Sequence, residues 1–320
     1  MSEKEQAENA QWERELITKL ATAALKEQRR ARLWGIFFKL LFFGYVTFFV
    51  MYALVWRDRG EAIGSGKHTA MVEVSGVIAP GSDASAERIT GALQAAFKDK
   101  NTQGVVVRIN SPGGSPVQAQ TIYDEMRRLK KKYPNIPLYA VVEDICASGG
   151  YFIAVGADRI YVSKSSLVGS IGVLMNGFGF TGLMDKLGVE RRLITAGENK
   201  AFLDPFSPME PKHREFAKKL AEEIHQQFIA VVREGRDKRL KESPEIFSGL
   251  IWSGQKSIEL GLADGIGSLD YVAREVIKAE EIIDFTQKEN FAERFAKRFG
   301  ASAATALAEF ALRRSPELLR

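Results

Sequence analysis

The chain has 320 residues, enough for a sizeable core and one or two domains. Its 45% hydrophobic and 27% charged residues are those of a globular protein, which excludes disorder as the default. Lysine and arginine (45) outnumber aspartate and glutamate (40), but no nucleic-acid-binding motif accompanies the excess, and the single cysteine, Cys146, excludes an intrachain disulfide.

Residues 1–32 are polar, with apolar side chains at Trp12, Leu16, Ile17, Leu20 and Ala24. That spacing predicts a short amphipathic helical arm. Residues 33–56 are apolar over a length that crosses a bilayer as a helix. Trp34 and Trp56 lie at the two ends, where interfacial aromatics belong, and Lys39 can snorkel to the headgroups. The run is too long for the apolar core of a signal peptide, and no small-x-small cleavage site follows closely, so an uncleaved anchor is expected. Lys26, Arg29, Arg30 and Arg32 precede the span. The positive-inside rule then puts the N-terminus in the cytoplasm and residues 57–320 on the far side. Residues 57–68 read as a Gly-rich tether. Gly64 to His68 fails as a phosphate loop, because Lys67 is not followed by Ser or Thr.

From Met71 a βα alternation begins. Strands are expected at Met71 to Ile78, Gly104 to Ile109 and Leu138 to Val142, with helices at Ala86 to Lys98 and Pro116 to Lys132. Such an alternation predicts a largely parallel sheet with outer helices, whose functional site lies at the carboxyl ends of the strands. Two Gly-rich turns fall at such ends, Asn110-Ser-Pro-Gly-Gly114 and Ala147-Ser-Gly-Gly-Tyr151. Ser148 stands where a strand hands over to a helix, in a pattern approaching G-x-S-x-G with Cys146 in place of the first Gly. Taken alone, a Ser before Gly-Gly is also an ordinary helix cap.

Further along, a strand is expected at Arg159 to Val162, a helix at Leu183 to Leu187, a strand at Glu190 to Thr195 and a loop at Ala196 to Lys200. A long amphipathic helix follows from Pro211 to Gly235, then shorter helices at Lys256 to Leu260 and Leu269 to Lys278. Phe291, Phe295 and Phe299 predict a last helix with one apolar face.

A serine nucleophile needs a proton acceptor. Of the three histidines, His68 lies in the tether, and His213 and His225 lie on the long helix. A Ser-His-Asp triad therefore requires that helix to fold back over the site. The alternative base is Lys200, alone in a weakly charged loop beside Phe202, Leu203, Pro205 and Phe206. A lysine amine titrates near 10.4, so apolar walls must lower it by about 3 units, roughly 4 kcal/mol, for it to act at neutral pH.

Four separated motifs, Asn110-Ser-Pro-Gly-Gly-Ser115, Ala147-Ser-Gly-Gly-Tyr151, Val168-Gly-Ser-Ile-Gly172 and Lys200, resemble in order and spacing the signal peptide peptidase A family. Trp252-Ser-Gly-Gln255 and Gly261-Leu-Ala-Asp264 extend the resemblance, which covers roughly Val72 to Leu269. It implies an α/β fold of repeated ββα units like ClpP and crotonase, behind one transmembrane helix. The implied organisation is an arm (1–32), a span (33–56), a linker (57–68), a protease domain (69–285) and a helical tail (286–320). By the same resemblance Ser148 is the nucleophile, Lys200 the general base, Ser170 the hydroxyl that orients Lys200, and the Gly114 and Gly149 N–H groups the oxyanion hole. No cofactor or metal is implied. The implied activity is degradation of released signal peptides and other unfolded apolar peptides at a bacterial inner membrane, with the catalytic domain periplasmic. Homo-oligomers are expected, with sites that can draw Ser and Lys from neighbouring subunits. The competing readings are a sibling protease acting on membrane proteins, an acyl-CoA hydratase or thioesterase on the same fold, and a non-catalytic scaffold.

Overall fold

The computed structural model describes residues 3–59 and 66–287. The phenylalanine-bearing tail and most of the tether lie outside the described residues. Two units are resolved, Met1–Ile63 and Gly64–Arg320.

The first unit is one helix, α1 (Glu3–Arg59). Arm and span were expected as separate elements, yet the helix runs through both. Only Gly35 and Gly44 interrupt the helix-forming residues at the centre of the chain's first sixty, and each costs only ~1 kcal/mol. Within it Leu25–Tyr52 is long and apolar enough to cross a membrane. Its 28 residues rise about 42 Å, more than a bilayer core of ~30 Å requires. The side chains from Leu25 to Tyr52 are all exposed, including Phe38, Phe42 and Phe48. An apolar surface that long and continuous calls for lipid or another protein around it.

The second unit is a mixed α/β domain. Its elements are β1 (His68–Ser75), α2 (Ala86–Lys98), β2 (Thr102–Ser111), α3 (Pro116–Lys132), β3 (Leu138–Ala147), α4 (Gly149–Ala154), β4 (Arg159–Val162), β5 (Leu167–Gly169), α5 (Thr181–Leu187), α6 (Pro211–Arg236), β6 (Ile251–Ser253), α7 (Gly254–Glu259), β7 (Gly265–Ile266), α8 (Leu269–Tyr271) and β8 (Ile282–Asp284). The sheet runs β6-β5-β3-β2-β1-β8, with β4 and β7 branching from β3. All pairs are parallel except β5 with β6. His68, expected in the tether, opens β1 and is fully buried.

The β-branched run of β2 explains the layering. Val105, Val107 and Ile109 face one side, against the core under α2, α3 and α4. Val106 faces the other, with Val141, Tyr161 and Val272. A strand covered on both faces has no polar alternation, as its sequence shows.

Strand β3 carries the break in register that lies beside the site. Ile109 pairs with Val142, but Ser111 pairs with Cys146, so β3 accommodates two extra residues beside Asn110. The Asn110 side chain occupies the bulge, accepting from the Ile145 N–H (3.3 Å) and donating to Asp144 (3.2 Å). Below the bulge β3 pairs with β4; above it, with β5. The bend thus changes the neighbour of β3 just before Ser148, as bulges beside active sites commonly do.

A buried ion pair locks the far side. Arg236, 1% exposed at the end of α6, makes two hydrogen bonds to Asp264 (2.8 and 2.9 Å) and one to the Gly261 carbonyl (2.7 Å). Asp264 also accepts from the Ile160 N–H. Burial alone would raise the Asp264 carboxyl; the Arg236 hydrogen bonds and charge outweigh it and hold the group below its ordinary value. A depressed carboxyl stabilises the fold above its unfolded value of about 3.9, and that contribution disappears as pH falls through the folded value.

Asp264→Ala leaves Arg236 charged, buried and unpaired. We expect a loss of about 3 kcal/mol, seen as a lower thermal midpoint of the full chain in detergent at pH 7. The gap between variant and parent should shrink below pH 4; an equal midpoint at pH 7 would refute the assignment.

Candidate active site

Ser148 sits between β3 and α4 with φ 51° and ψ −121°, a conformation that costs a non-glycine residue ~1–3 kcal/mol. Three contacts hold it. The Ser148 N–H donates to the Gly169 carbonyl on β5 (2.9 Å), and the Ser148 carbonyl accepts from the N–H of Phe152 in the first turn of α4 (2.9 Å). The third is the close approach of Gly113, at φ 101°. A Cβ on Gly113 would lie 2.7 Å from both the Gly149 nitrogen and the Ser148 Cβ. Tyr151 anchors α4 from behind, donating its buried hydroxyl to the Leu262 carbonyl (2.8 Å).

Two glycine N–H groups lie in the backbone packed around the Ser148 turn. Gly149 opens α4, so its N–H has no intrahelical acceptor. Gly114 bridges to Ile78 through Ile78 N–H to Gly113 carbonyl (2.9 Å) and Ser115 N–H to Ile78 carbonyl (2.7 Å); neither bond uses the Gly114 N–H. The two glycines nearly touch, since a Cβ on Gly149 would lie 3.3 Å from the Gly114 nitrogen. Pro116 then starts α3, with the Ser115 hydroxyl as its cap. Together they border a cavity of about 240 Å³ lined by Val117, Phe152, Gly172, Ile224 and Phe228 as well as Gly114, Ser148 and Gly149. Its wall is predominantly apolar.

Ser170 ends β5 beside Ser148. Ala147 pairs with Gly169, so the two serines follow at the carboxyl ends of adjacent parallel strands. Ser170 also has positive φ, 51°, and its N–H donates to the Leu250 carbonyl (2.8 Å).

Lys200 is not brought to them within one chain. It is exposed in the turn that begins at Gly197, makes no side-chain hydrogen bond or ion pair among the described residues, and does not line the cavity. Its turn packs on the start of α6, where Asn199 meets His213 (3.2 Å) and Phe202 stands edge-on to His213 and Phe216. The strand expected at Glu190 to Thr195 does not form, because no strand lies beside it to share its hydrogen bonds. Residues 173–200 expose Leu174, Phe178, Leu187 and Ile194, the last 95% accessible.

Helix α6 does reach the site, through Ile224, Gln227 and Phe228, and Phe228 packs on Phe152 (5.1 Å). The charged appearance of this helix concealed that role. Its signal was the buried stripe Phe228, Ile229, Val232. No triad results, because His225 Nε2 bonds the Ile171 carbonyl (3.1 Å) and His213 bonds Asn199. Cys146 is buried, which pushes its thiol far up and removes it as a nucleophile.

A strained serine turn packed against Gly113 and Gly114 thus lies at the carboxyl ends of a mostly parallel sheet. In comparison with known proteins, residues 71–166 match the Clp protease family model and residues 130–282 match Peptidase family S49. A Synechocystis chain named as a protease is 33% identical over 202 residues, covering 63% of this chain and 70% of that one. An Enterococcus faecium chain named as a signal peptide peptidase is 29% identical over 230 residues, 69% of this chain and 66% of that one. A Brucella melitensis chain named as a Na(+)/H(+) antiporter is 48% identical over 179 residues, 56% of this chain. This chain spans only 24% of the length of that relative. The chain belongs to peptidase family S49.

Gly113→Ala should force Ser148 and Gly149 apart. We expect a fall of about 10²-fold in peptide hydrolysis together with a lower thermal midpoint, since the added Cβ meets buried backbone at a φ that only glycine adopts freely. Undiminished turnover would show that the close approach is not needed.

Proposed function

We propose that the chain is a membrane-anchored serine endopeptidase in which Ser148 is the nucleophile and Lys200, reaching across a subunit contact, the general base. The observation that carries the reading is the elbow: a serine held at positive φ beside two backbone N–H groups that make no hydrogen bond among the described residues. Among the described residues Lys200 has no carboxylate partner, as suits a base that must shed its proton. Its segment presents a long apolar surface, and a second copy of the domain would cover it.

The steps follow from the groups. Neutral Lys200 takes the Ser148 proton as the oxygen attacks the scissile carbonyl. The oxyanion forms between the Gly114 and Gly149 N–H groups. Lys200 returns the proton to the leaving amine, and an acyl ester remains on Ser148. Water, deprotonated by Lys200, then releases the acid and restores the hydroxyl. Ser170 accepts or donates one hydrogen bond to hold the lysine nitrogen on line.

The apolar cavity beside Ser148 suits unfolded apolar segments, and the Enterococcus relative's name points to released signal peptides. The basic residues before the span support an orientation with the N-terminus inside the cell and the peptidase domain outside the inner membrane. A second reading, with membrane proteins as substrates, has one observation in favour: the matching segment of the Brucella relative belongs to a much longer chain named as an antiporter.

Ser148→Ala and Lys200→Ala should each abolish cleavage of an unfolded apolar peptide without lowering the thermal midpoint. Co-assembly of the two dead variants tests the shared site. In a ring that mixes equal amounts at random, roughly a quarter of the sites would combine an intact Ser148 with an intact Lys200 from its neighbour. A site confined to one chain would stay silent in the mixture, and that result would overturn the reading.

A further inference from the structure

The turn that carries Ser170 is tied to three elements. Gly169 accepts from Ser148 (2.9 Å), Ser170 donates to the Leu250 carbonyl (2.8 Å), and Ile171 accepts from His225 on α6 (3.1 Å). The first two ties are backbone to backbone. The third is the only one made by a side chain.

The tie matters because the turn is strained. Gly169 has φ 114° and Ser170 φ 51°. A non-glycine residue keeps such a value only where its surroundings over-determine it. The buried Ile171 side chain fixes the depth of the turn, but not the direction of its peptide planes. A carbonyl only accepts, so His225 Nε2 carries the proton and its bond aims the plane between Ile171 and Gly172. Gly172 in turn lines the cavity beside Ser148. His225 is half-buried at the upper end of the stripe formed by Phe228, Ile229 and Val232, where an apolar residue would pack as well. A polar side chain there serves the carbonyl, not the core.

We infer that His225 is a positioning residue: through the Ile171 carbonyl it holds the Ser170 turn in its strained form, and so sets the hydroxyl that orients the catalytic base. This rests on the reading of Ser148, Ser170 and Lys200 proposed above. His225 touches neither substrate nor reacting atoms. Losing it lets the turn relax toward negative φ and carries the Ser170 hydroxyl off line, while the cavity wall from Phe152 and Phe228 stays in place. The defect should therefore fall on the chemical step and spare binding.

The test uses the full chain in detergent and three variants, with an apolar fluorogenic peptide as substrate and a fluorophosphonate as a probe of Ser148. His225→Ala should lower kcat about 10- to 100-fold with KM changed less than about 3-fold. His225→Asn, too short to reach the carbonyl, should match it. His225→Gln places an amide N–H near the Nε2 position and should recover most of kcat. All three should melt within a few degrees of the parent, so that the order of rates is not an order of stabilities. Equal rates for Ala and Gln, or a kcat for His225→Ala equal to the parent's, would overturn the inference. A parent chain that the probe fails to label would fail the Ser148 reading itself and the inference with it. A labelled parent with indifferent His225 variants would sink only the inference.

Discussion

The backbone of Ser148 is the constraint around which the domain is arranged. A serine at φ 51° relaxes unless it is held, and it is held from three directions at once. Strand β5 supplies a carbonyl acceptor, the β2 turn supplies a glycine with no side chain to collide, and α4 supplies the continuing helix. Each requirement explains a motif. Gly113 is needed for approach and Gly149 and Gly150 for room. Tyr151 fastens α4 to the Leu262 carbonyl, two residues before Asp264. Asp264 closes the circuit through Arg236 at the end of α6, the helix whose middle walls the cavity. The distant Gly261-Leu-Ala-Asp264 motif is thus mechanical support for the serine elbow.

The same bookkeeping shows why one chain leaves the site open. Ser148, Ser170, Gly114 and Gly149 converge because they are the ends of paired strands, and strand pairing is satisfied inside the domain. The segment that bears Lys200 has no such partner. It exposes Leu174, Phe178 and Ile194 to solvent, a cost in apolar surface that the proposed association would relieve. On the reading proposed, proteolysis would depend on assembly at the membrane and would be absent from an isolated subunit.

Much of this organisation was readable from residues alone. The helices Ala86–Lys98 and Pro116–Lys132 and the strand Arg159–Val162 begin and end where the apolar spacing, the Ser-Pro cap and the turn residues put them. Local chemistry decides those boundaries. The expected strand at Glu190 to Thr195 failed for the opposite reason, since β-branched and apolar residues make a strand only when a neighbour shares the ladder. His68 likewise read as tether because its burial depends on residues far away in sequence, Thr102 and Phe285.

What the sequence by itself determined was the alternation of strands and helices, the apolar span, and the glycine-serine turns that place Ser148, Gly149 and Gly114 just beyond strand ends. Those are properties of short stretches, fixed by periodicity and by which residues tolerate positive φ. Only the tertiary structure decided that α6 walls the cavity, that its His225 serves a carbonyl and not the serine, and that Lys200 stands apart within a single chain. Those depend on contacts between segments dozens of residues apart, and pairwise packing at that range leaves no periodic trace in the chain.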